Sequence, residues 1–222
     1  MSRLRILLWM CGFALLMGAI LFGSAGRTDL PMYWIYLGLW LAFGTWAALS
    51  TDEDLWKERM HPGPGARDNL AIVRVLAILG FAGTLILPGI DAGRGHWTDS
   101  VPIAVQIISM IGFAVALIIS TWARTVNRFF SSAVRIQTDR GHYVITDGPY
   151  RLIRHPGYLG FILVSIFTGP ALGSWLGLLP PLIILATFIR RAAVEDSMLR
   201  SDLPGYAEYA GRVRYRLVPG VW

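Results

Sequence analysis

The sequence has few charged residues. They make up 15% of its 222 positions, whereas about 25% is usual in soluble globular domains. Hydrophobic residues account for 55% of the chain, and they are collected in long runs. This balance argues against a soluble globular domain and predicts a polytopic membrane protein.

The sequence also has a single cysteine, Cys11, which lies inside the first apolar run. One thiol cannot form an internal disulfide, so no disulfide framework is predicted and the redox compartment is not indicated. Histidine-rich and Cys-x-x-Cys patterns are missing as well. The sequence therefore predicts no metal site.

What the sequence does contain is six apolar segments. The first four are long enough to cross a hydrocarbon core of about 30 Å, which takes about 20 helical residues. The last two are shorter and are separated by TGPALGSW, so we expect them to form a tilted helical hairpin. The segments are 4–26, 31–50, 69–90, 101–123, 157–170 and 174–193.

These segments predict an all-α fold, a polytopic membrane helical bundle with about six transmembrane segments. We divide the chain into residues 1–123, with four N-terminal spans, and residues 124–222, with the hairpin and a C-terminal tail. The basic SRLR before the first apolar run resembles the start of a signal peptide. Because the run exceeds the usual length of about 7–15 residues, we predict a retained span.

The distribution of basic residues predicts the orientation. With the N-terminus in the cytoplasm, all 20 Lys and Arg residues except Arg27 and Arg94 fall on the cytoplasmic side. An excess of positive charge in cytoplasmic loops is the usual signature of membrane orientation. Both termini and the larger polar segments, 51–68, 124–156 and 194–222, are therefore predicted to face the cytoplasm.

The first polar cluster is DGPYRLIRHPGYLG, residues 147–160. Asp147 is placed to cap a short helix that ends near Arg154, because a residue that precedes proline is pushed out of the α region. Pro156 then opens the next helix, whose first N–H groups lack intrahelical partners and favour an anion. A simpler interpretation is that the arginines contact lipid headgroups beside a proline turn.

The second polar cluster lies in residues 190–222. Glu195 and Leu199 are one helical turn apart and share a face of the helix. Tyr206 and Tyr209 follow the helix-breaking sequence LPG. The alternatives to ligand binding are an ion pair of Glu195 with an arginine one turn before it, and interfacial anchoring by the two tyrosines.

The two clusters contain an ordered set of motifs. HYVITDGPYRLIRHPGYLG occupies 142–160, EDSML occupies 195–199 and GYAEY occupies 205–209. This order resembles the isoprenylcysteine carboxyl methyltransferase family, whose pattern is H-x-L-V-T-x-G-x-Y-x-x-x-R-H-P-x-Y-x-G, a helical hairpin, E-E-x-x-L and G-x-x-Y-x-x-Y. The resemblance covers residues 127–222 and begins at NRFF, whereas the first four spans match only in hydropathy.

The resemblance implies a membrane enzyme that transfers a methyl group from S-adenosylmethionine. It implies a cofactor pocket lined by His142, Tyr150, His155, Pro156, Tyr158, Gly160, Glu195, Leu199, Tyr206 and Tyr209. The residues that it implies for orienting a substrate carboxylate or for the reaction itself are Arg154, Glu195 and Arg190 or Arg191.

Three features depart from the family pattern. Asp196 stands where the family has the second glutamate of the acidic pair, and the spacing of the tyrosines after it is shorter. The ending VRYRLVPGVW also differs from that of the eukaryotic members. The implied acceptor is therefore lipid-like in general, with the carboxylate of an isoprenylated thiol acid as one such acceptor.

Other functions compete with this interpretation. Sterol reductases, which use NADPH, share R-H-P-x-Y-x-G and VRYRLVP, but they carry an Arg-Asp pair where this chain has Glu195 and Asp196. A phospholipid N-methyltransferase would have an amine acceptor that must lose a proton, and Glu195 or His155 would be the nearest base. A transporter would have ionisable residues within its spans, and here only Arg74 lies near a segment end.

The chemistry of the cofactor predicts how two substrates would meet. A charged cofactor must arrive from the cytoplasm, whereas a lipid-tailed small-molecule acceptor would arrive laterally from the bilayer. Methyl transfer to a carboxylate needs no metal and no base, so positioning supplies the catalysis. Two guanidinium groups favour a carboxylate over an amine. The expected partners are thus the bilayer and this acceptor; no nucleic acid is expected, and the sequence does not indicate an oligomeric state.

Overall fold

The computed structural model describes the backbone of residues 3–66 and 70–222 and the side chains of residues 8–66 and 71–222. Within these ranges the regular structure is helical and contains no strand, so the predicted all-α class is confirmed. The α-helices are α1 (Arg3–Ala25), α2 (Pro31–Leu49), α3 (Glu53–Met60), α4 (Leu70–Ile90), α5 (Ile103–Val126), α6 (Pro156–Ala171), α7 (Pro181–Asp202) and α8 (Tyr206–Arg212).

Five stretches of the described chain are long and apolar enough to cross a membrane. They fall in α1, α2, α5, α4 with its continuation, and α7 with the turn before it. Helix α6 has only 16 residues, which makes it about 24 Å long, against about 30 Å of hydrocarbon. The chain is thus a multi-pass membrane protein, as predicted, in which α6 is the short segment of the final hairpin.

The hydrophobic core joins both predicted parts of the chain. Buried side chains of α1, α2, α4, α5 and α6 form one cluster. At its centre the rings of Tyr36 and Phe113 are 4.5 Å apart, and the Tyr36 hydroxyl lies 3.3 Å from that of Thr168 on α6. The predicted boundary at residue 123 lies inside α5, so the two parts share a core.

Helices α5 and α6 approach closely at Gly160. A Cβ at this position would lie 2.9 Å from the backbone nitrogen of Ser120, which is closer than packed atoms tolerate. Glycine is therefore required here by the separation of the two helices. This contact fixes the first turns of α6, which carry the R-H-P-x-Y-x-G motif, against α5.

One end of the bundle is closed by a buried aspartate, and we call it the Asp91 end. After α4 the chain continues as a π-helix over Asp91–Gly95. The Asp91 carboxylate accepts hydrogen bonds from the N–H groups of Trp97 and Thr98 at 2.9 and 2.8 Å. It also accepts from the hydroxyls of Thr98 and Ser174, both at 2.5 Å. These four neutral donors thus connect Asp91, the first residue of the π-helix, to the segment that follows the π-helix and to the loop after α6.

The opposite end differs from its sequence-based prediction at two points. The turn before α6 is a 3₁₀-helix over Gly148–Arg151 and not the predicted α-helix. The Asp147 side chain does not cap it, because its carboxylate accepts a hydrogen bond from Arg151 at 3.0 Å. Helix α7 continues past the apolar segment that ends at 193 and runs to Asp202, so Glu195 and Leu199 share a helix and the helix ends just before LPG, as predicted. Its polar last turns pack on neighbouring segments of the protein.

Some predictions fall on residues outside the described ranges. The predicted cytoplasmic segment 51–68 contains α3 and is described as far as residue 66. Arg67, which contributes to the predicted orientation, lies outside the described residues, and so do the side chains of Arg3 and Arg5. The orientation itself stays a prediction.

Candidate functional site

A cavity of about 260 Å³ lies at the end of the bundle opposite Asp91, and we call this end the cavity end. Its walls come from α3, α4, α6, α7, α8 and the loop 127–147 between α5 and the turn before α6. The polar part of the lining includes Asn127, His142, Tyr150, Glu195, Tyr206 and Tyr209. The apolar part includes Val73, Ala77, Phe130, Phe161 and Phe188. The cavity therefore combines hydrogen-bonding groups with a surface suited to an apolar ligand.

Tyr150 connects three elements in the polar part. Its hydroxyl accepts a hydrogen bond from Asn127 Nδ2 at 3.0 Å, and its carbonyl accepts one from the Tyr209 hydroxyl at 2.7 Å. Burial raises the pKa of Tyr150 above its ordinary value, so the phenol is neutral. The ring is thereby fixed between the end of α5 and α8, with its face available to line the cavity.

His142 is a neutral hydrogen-bonding group. Burial, together with the nearby charges of Arg135 and Arg140, lowers the pKa of His142 to about 4. Its Nδ1 accepts a hydrogen bond from the backbone N–H of Gln137 at 3.2 Å, so the ring proton is on Nε2. The ring lies 4.4 Å from that of Phe129. His142 therefore offers a neutral N–H donor at the cavity wall.

Glu195 is joined to the start of α6 across the cavity. The Tyr158 hydroxyl donates a short hydrogen bond to the Glu195 carboxylate. The Tyr158 ring stacks on His155 with centroids 5.6 Å apart, and the Arg191 guanidinium lies over it at 5.6 Å. The Arg191 guanidinium also donates a hydrogen bond to the carbonyl of Ser132 at 2.7 Å, which links α7 to the loop 127–147. The alternative of an ion pair between Glu195 and Arg191 stays a prediction.

Asp196 organises the wall behind the cavity. It is fully buried, and Arg154 contacts both of its oxygens, through Nε at 2.6 Å and Nη2 at 3.2 Å. Arg200 and Arg216 each donate to Oδ2, at 3.1 and 3.0 Å, and the Tyr206 hydroxyl donates to Oδ1 at 3.0 Å. The aspartate that replaces the family's second glutamate is thus the centre of an ionic network.

The C-terminal tail covers the start of α6. The backbone N–H groups of Arg154 and His155 donate to the carbonyls of Tyr215 and Arg216 at 3.0 and 2.9 Å. The remaining Arg154 nitrogen, Nη1, donates to two further tail carbonyls at 2.7 Å. The guanidinium of Arg154 is therefore occupied by Asp196 and the tail, and the start of α6 is less open to an anion than its sequence predicts.

Most residues of the predicted site come together at the cavity. Those that line it are His142, Tyr150, Arg154, His155, Tyr158, Arg191, Glu195, Leu199, Tyr206 and Tyr209. Pro156, Gly160 and Arg190 lie outside the lining. Gly160 packs against α5, Pro156 is buried at the start of α6, and Arg190 is exposed. Of the two adjacent arginines, Arg191 is the one that faces the cavity.

Several lining residues were missed from the sequence. Arg59 on α3 and Arg74 on α4 reach the cavity from the N-terminal half, where no motif marked them. Asn127 opens the NRFF motif, so its position was available as a signal. Gln137 is buried in the loop 127–147 and donates to the Phe129 carbonyl at 2.7 Å, a contact that no sequence pattern reveals.

The fold and the cavity define a class of protein: a multi-pass helical membrane protein with a mixed polar and apolar cavity at one end of the bundle. Comparison with known proteins narrows this class. The profile of the isoprenylcysteine carboxyl methyltransferase (ICMT) family matches residues 106–201. The resemblance predicted from the motifs is confirmed, and the matched region holds the loop 127–147, α6 and all of α7 except its last residue.

Individual relatives agree with the family match. A probable protein-S-isoprenylcysteine O-methyltransferase of Oryza sativa subsp. indica is 36% identical over 91 residues, which cover 40% of this chain and 48% of that protein. Protein-S-isoprenylcysteine O-methyltransferase B of Arabidopsis thaliana is 25% identical over 146 residues, covering 64% of this chain and 70% of the relative. The chain thus spans about half the length of the rice protein.

A solved structure was also matched. It is that of the eukaryotic intramembrane Ras methyltransferase ICMT, with 19% sequence identity, a TM-score of 0.44 and coverage of 99% of this chain and 83% of that one.

Proposed function

We propose that this protein is a membrane-embedded methyltransferase that uses S-adenosylmethionine and methylates the carboxylate of a lipid-tailed acceptor. The observation that carries the proposal is the cavity, in which the ordered motifs of the ICMT resemblance meet an apolar surface. The relatives are named for O-methylation of an isoprenylated cysteine. An isoprenylated chain end would present the same tail and carboxylate as the small-molecule acceptor predicted above.

The polar part of the cavity suits an adenosine-bearing cofactor. Glu195 and the neutral Nε2–H of His142 offer an acceptor and a donor for hydroxyl and ring nitrogen groups. The aromatic rings of Tyr150 and Tyr209 offer flat surfaces for a base. When bound, S-adenosylmethionine would supply an electrophilic methyl group on its sulfonium.

The apolar part of the cavity suits a lipid tail. The rings of Phe130 and Phe161 are 6.4 Å apart, and those of Phe161 and Phe188 are 5.6 Å apart. Val73 and Ala77 complete this surface from α4. Because Val73, Ala77 and Phe188 lie on helices long and apolar enough to span the membrane, an acceptor would enter from the bilayer and would not cross water with its tail exposed.

The chain's own residues would then supply positioning. A carboxylate acceptor is already deprotonated, so no side chain has to remove a proton. The contact of Tyr158 with Glu195 holds the start of α6 against α7. Both helices contribute residues to the polar part and to the apolar part of the cavity. Bringing two reactants together in this way can account for about 7–11 kcal/mol of a reaction barrier.

We also propose that the cavity end and both termini face the cytoplasm. The support is the concentration of Lys and Arg on that side of the predicted topology. S-adenosylmethionine is charged and would reach the polar part from water.

The experiment is calorimetry of the purified protein in detergent with S-adenosylhomocysteine and, separately, with NADPH. We expect the first to bind, and His155→Ala and Glu195→Ala to weaken it about 10- to 150-fold, the equivalent of a lost hydrogen bond to a charged group. His96→Asn is the control, since His96 is exposed and lies at the Asp91 end, opposite the cavity.

Binding of NADPH alone would favour a reductase and contradict the proposal. Unchanged affinity in both cavity variants would remove His155 and Glu195 from the cofactor pocket.

A further inference from the structure

The arginines that line the cavity differ in whether a carboxylate neutralises them. The lining arginines are Arg59, Arg74, Arg135, Arg154 and Arg191. Among the described residues, Glu195 is the one acidic side chain in the lining, and it accepts the Tyr158 hydroxyl. The cavity therefore has an excess of positive charge, and the partners of each arginine decide where that excess lies.

Arg135 and Arg154 have carboxylate partners. Arg135 Nε and Nη2 contact the two oxygens of Glu58 at 2.9 and 2.6 Å, and its Nη1 contacts Asp139 at 2.8 Å. Arg154 is bound to Asp196. Neither guanidinium is available to a ligand without breaking a buried ion pair.

Arg59 is different. Its Nη1 donates to the carbonyl of Phe130 at 3.0 Å, and its guanidinium lies over the Phe130 ring at 5.4 Å. No carboxylate of the described residues lies within ion-pair distance of it. Burial and the nearby charge of Arg191 lower the pKa of Arg59. Arg59 is half-buried, and among the described residues it lacks the anion that usually accompanies a guanidinium removed from water.

Arg59 and Arg191 both donate hydrogen bonds to the segment 130–132 of the loop 127–147. Arg59 donates to the Phe130 carbonyl, and Arg191 donates to the Ser132 carbonyl at 2.7 Å. The Ser132 hydroxyl donates back to the carbonyl of Arg59 at 3.0 Å. These bonds keep the two guanidinium groups on one side of the cavity.

The position of Arg59 is fixed by its neighbour. Glu58 and Arg135 are both almost completely buried, at 4% and 2% side-chain exposure, and they join α3 to the loop 127–147. Because Arg59 follows Glu58 directly, this ion pair sets the place from which the Arg59 side chain enters the cavity wall.

The surface next to Arg59 changes from charged to apolar. Phe130, which Arg59 covers, also rests on the first turn of α6, where a Cβ on Gly157 would overlap its ring. From Phe130 the aromatic surface continues through Phe161 to Phe188. An anionic group bound to Arg59 would thus lie at one end of this aromatic surface, which we call the Phe130–Phe161–Phe188 track.

We infer that Arg59 is a binding residue for the acceptor, holding an oxyanion head at the start of the Phe130–Phe161–Phe188 track. This inference rests on the proposed function and adds to it a residue of α3, which lies outside the region 106–201 that matches the family. Arg59 would pair with the head through two N–H groups, while the tail follows the three rings. The acceptor class is an amphiphile whose head is a carboxylate or a phosphate, and not an amine.

The test measures head-group preference with the tail held constant. The probes are N-acetyl-S-farnesylcysteine, its carboxamide and farnesyl monophosphate, each titrated into the purified full chain in detergent. The variants are Arg59→Gln and the charge-preserving Arg59→Lys. Lys57→Gln is the matched control, because Lys57 lies on the same helix and its side chain is 70% exposed in surface ion pairs. Binding of S-adenosylhomocysteine and thermal unfolding are measured on every variant.

We expect the wild type to bind at least one of the two oxyanions more tightly than the carboxamide, and the one it prefers identifies the head. Arg59→Gln should weaken that oxyanion about tenfold or more and leave the carboxamide and S-adenosylhomocysteine within about twofold. Arg59→Lys should retain part of the preference, since it keeps the charge without the planar fork. Lys57→Gln should behave as the wild type.

Equal binding of oxyanion and carboxamide by the wild type would overturn the inference. An oxyanion affinity in Arg59→Lys and Arg59→Gln equal to that of the wild type would do so too, and so would an equal loss for all three probes. Failure of the wild type to bind S-adenosylhomocysteine would instead contradict the proposed function, because the lipid titrations contain no cofactor.

Discussion

The two ends of the bundle each contain a fully buried aspartate, and the two are solvated in opposite ways. Asp91 is surrounded by neutral donors, namely two backbone N–H groups and the hydroxyls of Thr98 and Ser174. Asp196 is surrounded by Arg154 and two further arginines. One carboxylate closes an end by local hydrogen bonds, whereas the other holds together segments from distant parts of the sequence.

The difference shows what each end is built to do. Neutral donors satisfy the hydrogen-bonding capacity of the Asp91 carboxylate without bringing further charge into the protein. The helices at the Asp91 end are joined by short loops. The Asp196 network fixes α6, α7, α8 and the tail around a cavity, and it neutralises Arg154. A charge network of this kind is costly to disrupt on one side, because the partner left behind is a buried, uncompensated ion.

The largest expected effect separates these two aspartates. Asp196→Asn should destabilise the protein by about 3–5 kcal/mol, because Arg154 loses its buried counter-ion. Asp91→Asn should cost only about 1 kcal/mol, because the amide oxygen still accepts from the two N–H groups while the hydroxyls of Thr98 and Ser174 rotate and accept from the amide NH₂. Denaturant unfolding in detergent measures both.

The same residues provide the control. Asp196→Glu and Asp91→Glu retain the charge but add a methylene group, so they measure how much each site loses through a change of size without a change of charge. Equal destabilisation by the two asparagine variants would show that the ion pairs of Asp196 contribute no more to the free energy of unfolding than the neutral hydrogen bonds of Asp91.

The two aspartates also show how much of the structure can be predicted from the sequence. The long helices follow from apolar runs, and the pairing of the two motif clusters follows from their resemblance to a family. The pairing of Arg154 with Asp196 joins positions 42 residues apart, and the sequence offers many arginines as partners for one acid. Hydropathy does not distinguish among them, so Arg154 was predicted to face a substrate and is found bound to Asp196 and the tail.

The contribution of α3 was hidden for a related reason. Its sequence, EDLWKERM, is that of an ordinary charged surface helix. Glu58 and Arg59 become distinguishable from their neighbours only once the loop 127–147 folds against them. The predicted cap at Asp147 failed because an arginine four residues later supplies a competing partner.

The second prediction, of intermediate size, compares alanine substitutions at two glycines near opposite ends of α6. Gly160 faces the backbone of Ser120, and Gly169 faces Gly177, where a Cβ would lie 2.5 Å from the Gly177 carbonyl carbon. Alanine at either position should cost about 1–3 kcal/mol, since the backbones must separate. Only Gly160→Ala should also weaken S-adenosylhomocysteine binding, because Gly160 lies within one to two turns of His155 and Tyr158.

Unfolding and calorimetry on the same preparations distinguish the two positions. Gly23→Ala is a suitable control, because a Cβ there meets no neighbouring atom. Loss of cofactor affinity in Gly169→Ala equal to that in Gly160→Ala would show that the cavity senses the packing of α6 as a whole.

The smallest expected effect concerns pH and a histidine at the cavity end. Burial lowers the pKa of His142 from 6.5 to about 4, so the unfolded chain binds this proton before the folded chain does. Stability associated with His142 is therefore complete above about pH 6.5 and is lost as the pH falls toward 4. Each pH unit in this window is worth about 1.4 kcal/mol at most, and we expect roughly 1 kcal/mol between pH 6.5 and 5.5.

The measurement is the free energy of unfolding in detergent at those two pH values for the wild type and His142→Gln. Every other titrating group is common to both proteins, so the difference between the two slopes isolates His142. The wild type should lose more stability than His142→Gln on acidification. Parallel slopes for the wild type and His142→Gln would mean that His142 is hydrated in the folded protein, and its ring would then not present a neutral N–H to the cavity at low pH.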